Sequence, residues 1–154
     1  GGKHLHLAME CHQALTFAIV KLCTRLDFGP VRAEFSYYLL TLMCSAPLLA
    51  MRTSACENLT TVLTQGYDAN VVGATFLKTP CLISFRQMVA GPLDELAIGT
   101  VRVMQALGQF GGYDCHVHLL PNLEGSMAAL GDPNSSAQRC IQLAELFVTL
   151  AKAR

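Results

Sequence analysis

Charge is what this sequence has least of. Asp, Glu, Lys and Arg make up 14% of its 154 residues, against about 25% in an ordinary globular chain. Apolar residues make up 52%. A chain this poor in charge has surface to hide. Either its helices are buried on two sides, or part of its surface is covered by another protein or by other domains of the same parent chain. An excess of one sign is missing as well, since 11 basic residues balance 11 acidic ones. That balance excludes the broad basic footprint of nucleic-acid binding, so no nucleic-acid partner is expected.

The signatures of catalysis are also missing. No Gly-x-Ser-x-Gly elbow occurs. Gly108, Gly111 and Gly112 close a helical pattern instead of opening one after a strand, so they make no phosphate loop or dinucleotide fingerprint. Asp94-Glu95 is the only adjacent acidic pair, and a helix's first turn favours acids without any acid–base chemistry. No complete catalytic constellation remains, and the chain is expected not to be an enzyme.

The seven cysteines contain no Cys-x-x-Cys. An odd count at wide spacing, mostly among apolar residues, reads as free, buried thiols in a reducing compartment, hence an intracellular location, cytoplasm or nucleus. The triplets Asn58-Leu59-Thr60 and Asn134-Ser135-Ser136 match glycosylation acceptors, but the first sits inside a helical pattern. Phe35 to Met51 runs uncharged for 17 residues. Ser36, Thr41, Ser45 and Pro47 interrupt that run, so no membrane span is expected. Gly1-Gly2-Lys3 and the helix-like Ala151-Lys152-Ala153-Arg154 read as cut ends. The expectation is one α-helical domain over 1–154, excised from a longer protein.

What the sequence does contain is punctuation. Proline lacks an N–H and fixes φ, so it suits a helix's first turn and breaks an interior. Pro30, Pro47, Pro80, Pro92, Pro121 and Pro133 each precede an apolar run, while Gly66 and Gly111-Gly112 follow one. The spacing predicts about eight helices: 4–26, 30–44, 47–65, 68–78, 80–90, 92–110, 121–130 and 134–152. No stretch alternates at period two for long enough to demand a sheet.

Periodicity assigns the faces. In 92–110, Glu95, Arg102, Gln105 and Gln109 are polar, and Leu93, Ala97, Val101, Met104 and Leu107 form the opposite stripe. In the last helix Gln138, Gln142, Glu145, Thr149 and Lys152 make a narrow polar face. Cys140, Ile141, Ala144, Phe147, Val148 and Ala151 make a wide apolar one, expected to pack. In the first helix Leu5, Ala8, His12, Leu15, Ile19, Leu22 and Leu26 share a side.

Leu130-Gly131-Asp132-Pro133-Asn134, followed by Ala137-Gln138, Ala144 and Leu150-Ala151, resembles an armadillo or HEAT repeat unit. Gly91-Pro92-Leu93-Asp94-Glu95 with Ala97, Val101 and Leu107 looks like a second turn and helix of that kind, and Met51 to Leu59 fits more loosely. The resemblance implies an all-α fold of short to medium helices stacked as antiparallel pairs, with a compact helical bundle as the alternative. The arginines Arg52, Arg102 and Arg139 stand 50 and 37 positions apart, an irregular spacing for a repeat near 40 residues. The tryptophan ladder of importin-type armadillo grooves is excluded, because the chain has no Trp.

Three readings of function follow. The first is a non-enzymatic scaffold domain that buries a partner polypeptide on an apolar helical surface. Phe35, Tyr37 and Tyr38 are its candidate anchors, since interface cores favour Tyr, and Arg102 and Gln105 are further partner-binding candidates. The second is a zinc-dependent enzyme or zinc-stabilised fold centred on Cys115, His116 and His118, whose thiolate and imidazoles suit Zn²⁺. His4, His6, Cys11 and His12 are a second group able to complete four-coordination. The third is a helical bundle around a small hydrophobic ligand. The first needs no cofactor.

Overall fold

In the computed structural model, residues 2–25, 29–64, 81–110, 119–123 and 126–152 are described. Among them the chain is all-helical, without a strand. The elements are α1 (Gly2–Arg25), α2 (Gly29–Ser45), α3 (Leu49–Thr64), α4 (Cys81–Ala90) and α5 (Asp94–Phe110). A 3-10 turn (Leu120–Leu123), α6 (Ser126–Gly131) and α7 (Ala137–Lys152) follow. None of these helices is long and apolar enough to cross a membrane.

The expected count of about eight is not matched. The segment 68–78 lies outside the described residues. The segment 121–130 is not one helix: Leu120–Leu123 is a 3-10 turn, and a six-residue α6 follows. Pro121 suits a tight turn.

The start signals explain the boundaries. Asp94 and Glu95 occupy the first turn of α5, where they meet the positive end of the helix dipole. Before α7, the Asn134 N–H donates to Asp132 Oδ1 at 2.9 Å, and the Arg139 N–H donates to Ser136 Oγ at 3.1 Å. Ser136 is therefore the N-cap, and the Asx turn ahead of it delays α7 past Pro133.

α3, α5 and α7 lie side by side, α3 on α5 and α5 on α7. α2 packs on α3, α4 on α5, and α6 on α7, while α4 also touches α2 and α6. Leu39, Leu40, Met43, Leu59, Leu63, Phe85, Met104, Leu107, Leu143 and Leu146 join one core across these elements. Each contributes roughly 1.5–3 kcal/mol through burial.

The stack keeps a register. Asp94 meets Arg139, Gln105 meets Thr149, and the Cα of Gly108 faces Leu150. These partners are 45, 44 and 42 positions apart from start to end of α5, so α5 and α7 run parallel. Gly99 of α5 meets Cys56 of α3, 43 positions earlier. Both glycines are needed for closeness: an added Cβ would lie 3.0 Å from Cys56 Cβ at one and 2.9 Å from Leu150 Cδ2 at the other. The starts Leu49, Asp94 and Ala137 are likewise 45 and 43 apart. The arginine spacing of 50 and 37 is irregular because those three residues hold different register positions.

Two arginines act as clamps, Arg139 buried and Arg52 half-buried. Arg52 Nε donates to the Met43 carbonyl at 2.9 Å and Nη2 to the Cys44 carbonyl at 3.3 Å, satisfying the last turn of α2. Arg139 Nη1 donates to the Gly91 carbonyl at 2.9 Å while its Nε donates to Asp94 Oδ1 at 2.9 Å. The second clamp ties α7 to the α4–α5 turn.

Candidate functional site

The expected face of α5 is the packed one at Ala97, Val101, Met104 and Leu107, while Leu93, just ahead of the helix, is exposed, as are Glu95, Arg102 and Gln109. α7 meets its expectation only in part: Phe147 packs against the core, and Gln138, Glu145 and Lys152 are exposed, as expected. Leu143 and Leu146 enter the core with Gln142 and Arg139, and Ile141, Ala144, Val148 and Ala151 face solvent. On this buried side the Arg139 guanidinium reaches the α4–α5 turn.

These rotations leave a groove of about 510 Å³ across the stacked helices. Glu57 and Thr60 of α3, Glu95, Ile98 and Arg102 of α5, and Gln138 of α7 form its walls. Cys56 and Gly99 lie at its floor, where the helices approach most closely. The Cys56 thiol is fully buried, and that burial pushes its pKa up to about 12. A buried thiol so disfavoured as thiolate is a poor nucleophile at neutral pH. The groove thus offers hydrogen-bonding walls and two signs of charge, with an inert floor.

The sequence-predicted anchors separate. Phe35 is buried in the core, and its ring stacks on that of half-buried Tyr38 at 5.9 Å. Tyr37, one residue earlier, is 47% exposed on the opposite side. Arg102 stands in the groove, whereas Gln105 is half-buried and donates from Nε2 to Thr149 Oγ1 at 3.3 Å, joining α5 to α7. Glu57, Thr60, Glu95 and Gln138 are the groove residues that sequence reasoning missed. Only the register of 43 to 45 positions between helices brings them together.

The metal candidates Cys115, His116 and His118 lie outside the described residues. Among the described residues no three His, Cys, Asp or Glu side chains are grouped to hold a metal ion. On α1, His4, His6 and Cys11 are exposed and His12 is buried. His6 pairs with Glu10 at 3.0 Å, and His12 turns inward, its Nδ1 hydrogen-bonded to the Tyr38 hydroxyl at 3.2 Å. Burial holds the His12 pKa below 6.5, so the ring is neutral at neutral pH. Cys11 and Cys56 are free thiols.

Compared with known protein families, curated proteins and solved structures, the chain matches none.

Proposed function

We propose that this chain is a non-enzymatic, intracellular scaffold domain of stacked antiparallel helix pairs, of the armadillo/HEAT kind, that binds a partner polypeptide on its helical surface. The observation that carries the reading is the groove across α3, α5 and α7. Its Thr60, Arg102, Glu95 and Gln138 side chains suit main-chain and side-chain polar groups alike. The near-constant spacing of the helix starts supports the stacked-pair architecture, since solenoids set one helical pair against the next at such periods. The inert Cys56 thiol supports a binding role over a catalytic one.

Photo-crosslinking tests it. A benzoylphenylalanine placed at Thr60 or Arg102 is expected to give one discrete polypeptide adduct in cells, absent when it is placed at exposed Ala90 on α4. The Arg102→Glu substitution should then weaken the adduct formed from Thr60. Equal labelling from the groove and from Ala90 overturns the proposal.

A further inference from the structure

We infer that the pocket beside the α4–α5 turn binds a small carboxylate carried on a short apolar chain, with the Arg52 guanidinium as its counter-ion. The pocket measures about 240 Å³ and shares no lining residue with the groove.

Counting donors leads to it. A guanidinium carries five N–H groups. In Arg52 the Nε–H donates to the Met43 carbonyl, and the pair on Nη2 donates to the Cys44 carbonyl at 3.3 Å and to Met88 Sδ at 3.1 Å. Nη1, with the remaining pair, has no partner among the described residues. Met88 lines the pocket together with Arg52, so the guanidinium end of the side chain is the part that reaches it.

The charge is unmatched as well. Arg139, the other clamp, has Asp94 beside it at 2.9 Å. Arg52 is half-buried, is held by neutral acceptors alone and forms no ion pair among the described residues. Among the described residues that line the pocket, only Arg52 is charged. A cation drawn partly out of water without a counter-ion is costly, and an anion set beside it offsets that cost.

Two neutral groups join the cation. Ser84 and Gln87 stand three apart on α4, hence on one face, and both line the pocket. Neither side chain makes a hydrogen bond among the described residues. The Nη1 pair, a hydroxyl and a carboxamide together match the acceptors of one carboxylate. The wall beyond them is apolar: Leu96 is buried, and Leu93 is 46% exposed. Inorganic phosphate would leave those leucines unused. Drug-sized ligands fill about 300–1,000 Å³, so this pocket takes a smaller acid, with a few carbons lying on the leucines. A free monocarboxylic acid and the C-terminal carboxylate of a polypeptide ending in an apolar residue both supply that chemistry.

The test titrates hexanoate, hexanamide, inorganic phosphate and N-acetyl-leucine, the last as the mimic of a chain end, into the intact isotope-labelled chain. The Arg52 Nε–H resonance is followed. Saturable shifts are expected with hexanoate or N-acetyl-leucine, and none with hexanamide or phosphate. The acid that binds more tightly identifies the source. Arg52→Met should abolish binding. Because that change also releases the last carbonyls of α2, Gln87→Glu and Leu93→Glu are tested beside it, at exposed positions where the thermal midpoint should hold. Each should weaken binding by about three-fold or more, the scale of one charge acting on another near water. No saturable shift with either acid overturns the inference. Hexanamide or phosphate binding as tightly as hexanoate does so too, as does acid binding that ignores both Glu substitutions.

Discussion

The stack of α3, α5 and α7 and the N-terminal helix α1 solve the same packing problem with opposite means. In the stack, apolar side chains meet apolar side chains: Leu59, Val101, Val103, Met104, Leu107, Leu143 and Leu146 have no exposed surface. α1 packs along α3, and of its buried side chains two are polar, His12 and Thr16. His12 Nε2, Thr16 Oγ1 and the neighbouring Ser36 Oγ are buried without hydrogen-bond partners among the described residues. Leu7, Leu15 and Phe17 meanwhile face solvent. The difference shows which half of the molecule fixes the fold. A buried polar atom left unpaired costs about 1–3 kcal/mol, so α1 docks at a cost that the stack does not carry.

The largest effect should come from truncating the stack. Leu107→Ala is expected to lower unfolding free energy by about 3 kcal/mol through lost transfer energy and a residual cavity. Urea unfolding measures it, and Leu15→Ala on α1 is the control. A similar cost for both would erase the contrast.

Next comes the clamp. Arg139→Met keeps the buried stem but leaves the Gly91 carbonyl and Asp94 without their donor, and should cost about 2 kcal/mol. Asp94→Asn should cost less, because the Asp94 side chain is 43% exposed and water replaces part of the loss. The order of the two thermal midpoints checks this.

A smaller effect belongs to α1 and depends on pH. Burial lowers the His12 pKa from 6.5. The unfolded chain therefore binds a proton that the folded chain resists. Stability is full above about pH 6.5 and falls as pH drops from there through the folded value. Hydrogen exchange should place the early loss in α1 and leave α5 protected, and His12→Leu should abolish the dependence. A loss shared evenly by both helices would make them one cooperative unit.

Much of the fold was legible in the punctuation. Gly91-Pro92 with Asp94, and Asp132-Pro133 with Ser136, announce α5 and α7 within three residues of their starts, because local hydrogen bonds decide helix entry. The face of α5 was legible for the same local reason. The rotation of α7 was not. Its apolar arc predicts Ile141 and Val148 inside, whereas Leu143 and Leu146 lie inward, on the side from which Arg139 makes its long-range contacts. Phe35, Tyr37 and Tyr38 failed as a cluster for a geometric reason: at about 100° per residue, positions three apart share a face and neighbours do not. In the groove, Arg102 was visible as a polar residue on an apolar helix. Its companions from α3 and α7 were not, since nothing local marks the register between helices.

The smallest effect is the sharpest test of the contrast. Phe17 is the most exposed large apolar residue described, at 67%, and Lys21 Nζ lies 5.5 Å from its ring centre. In a core, removing a phenylalanine ring costs about 3–5 kcal/mol. On α1 the ring already meets water, and an exposed cation–ring contact contributes only about 0.5–1 kcal/mol. Phe17→Ser should therefore change unfolding free energy by less than about 1 kcal/mol, a value set by the cation contact and helix propensity. Urea titration of dilute and concentrated samples separates the causes. A cost above that bound at every concentration would mean that α1 packs more tightly than its exposed apolar side chains indicate. A cost that appears only in the concentrated sample would mean that a second molecule covers Phe17. Either outcome would move α1 from the loosely held region to the tightly packed one, and the division between stack and N-terminal helix would have to be redrawn around it.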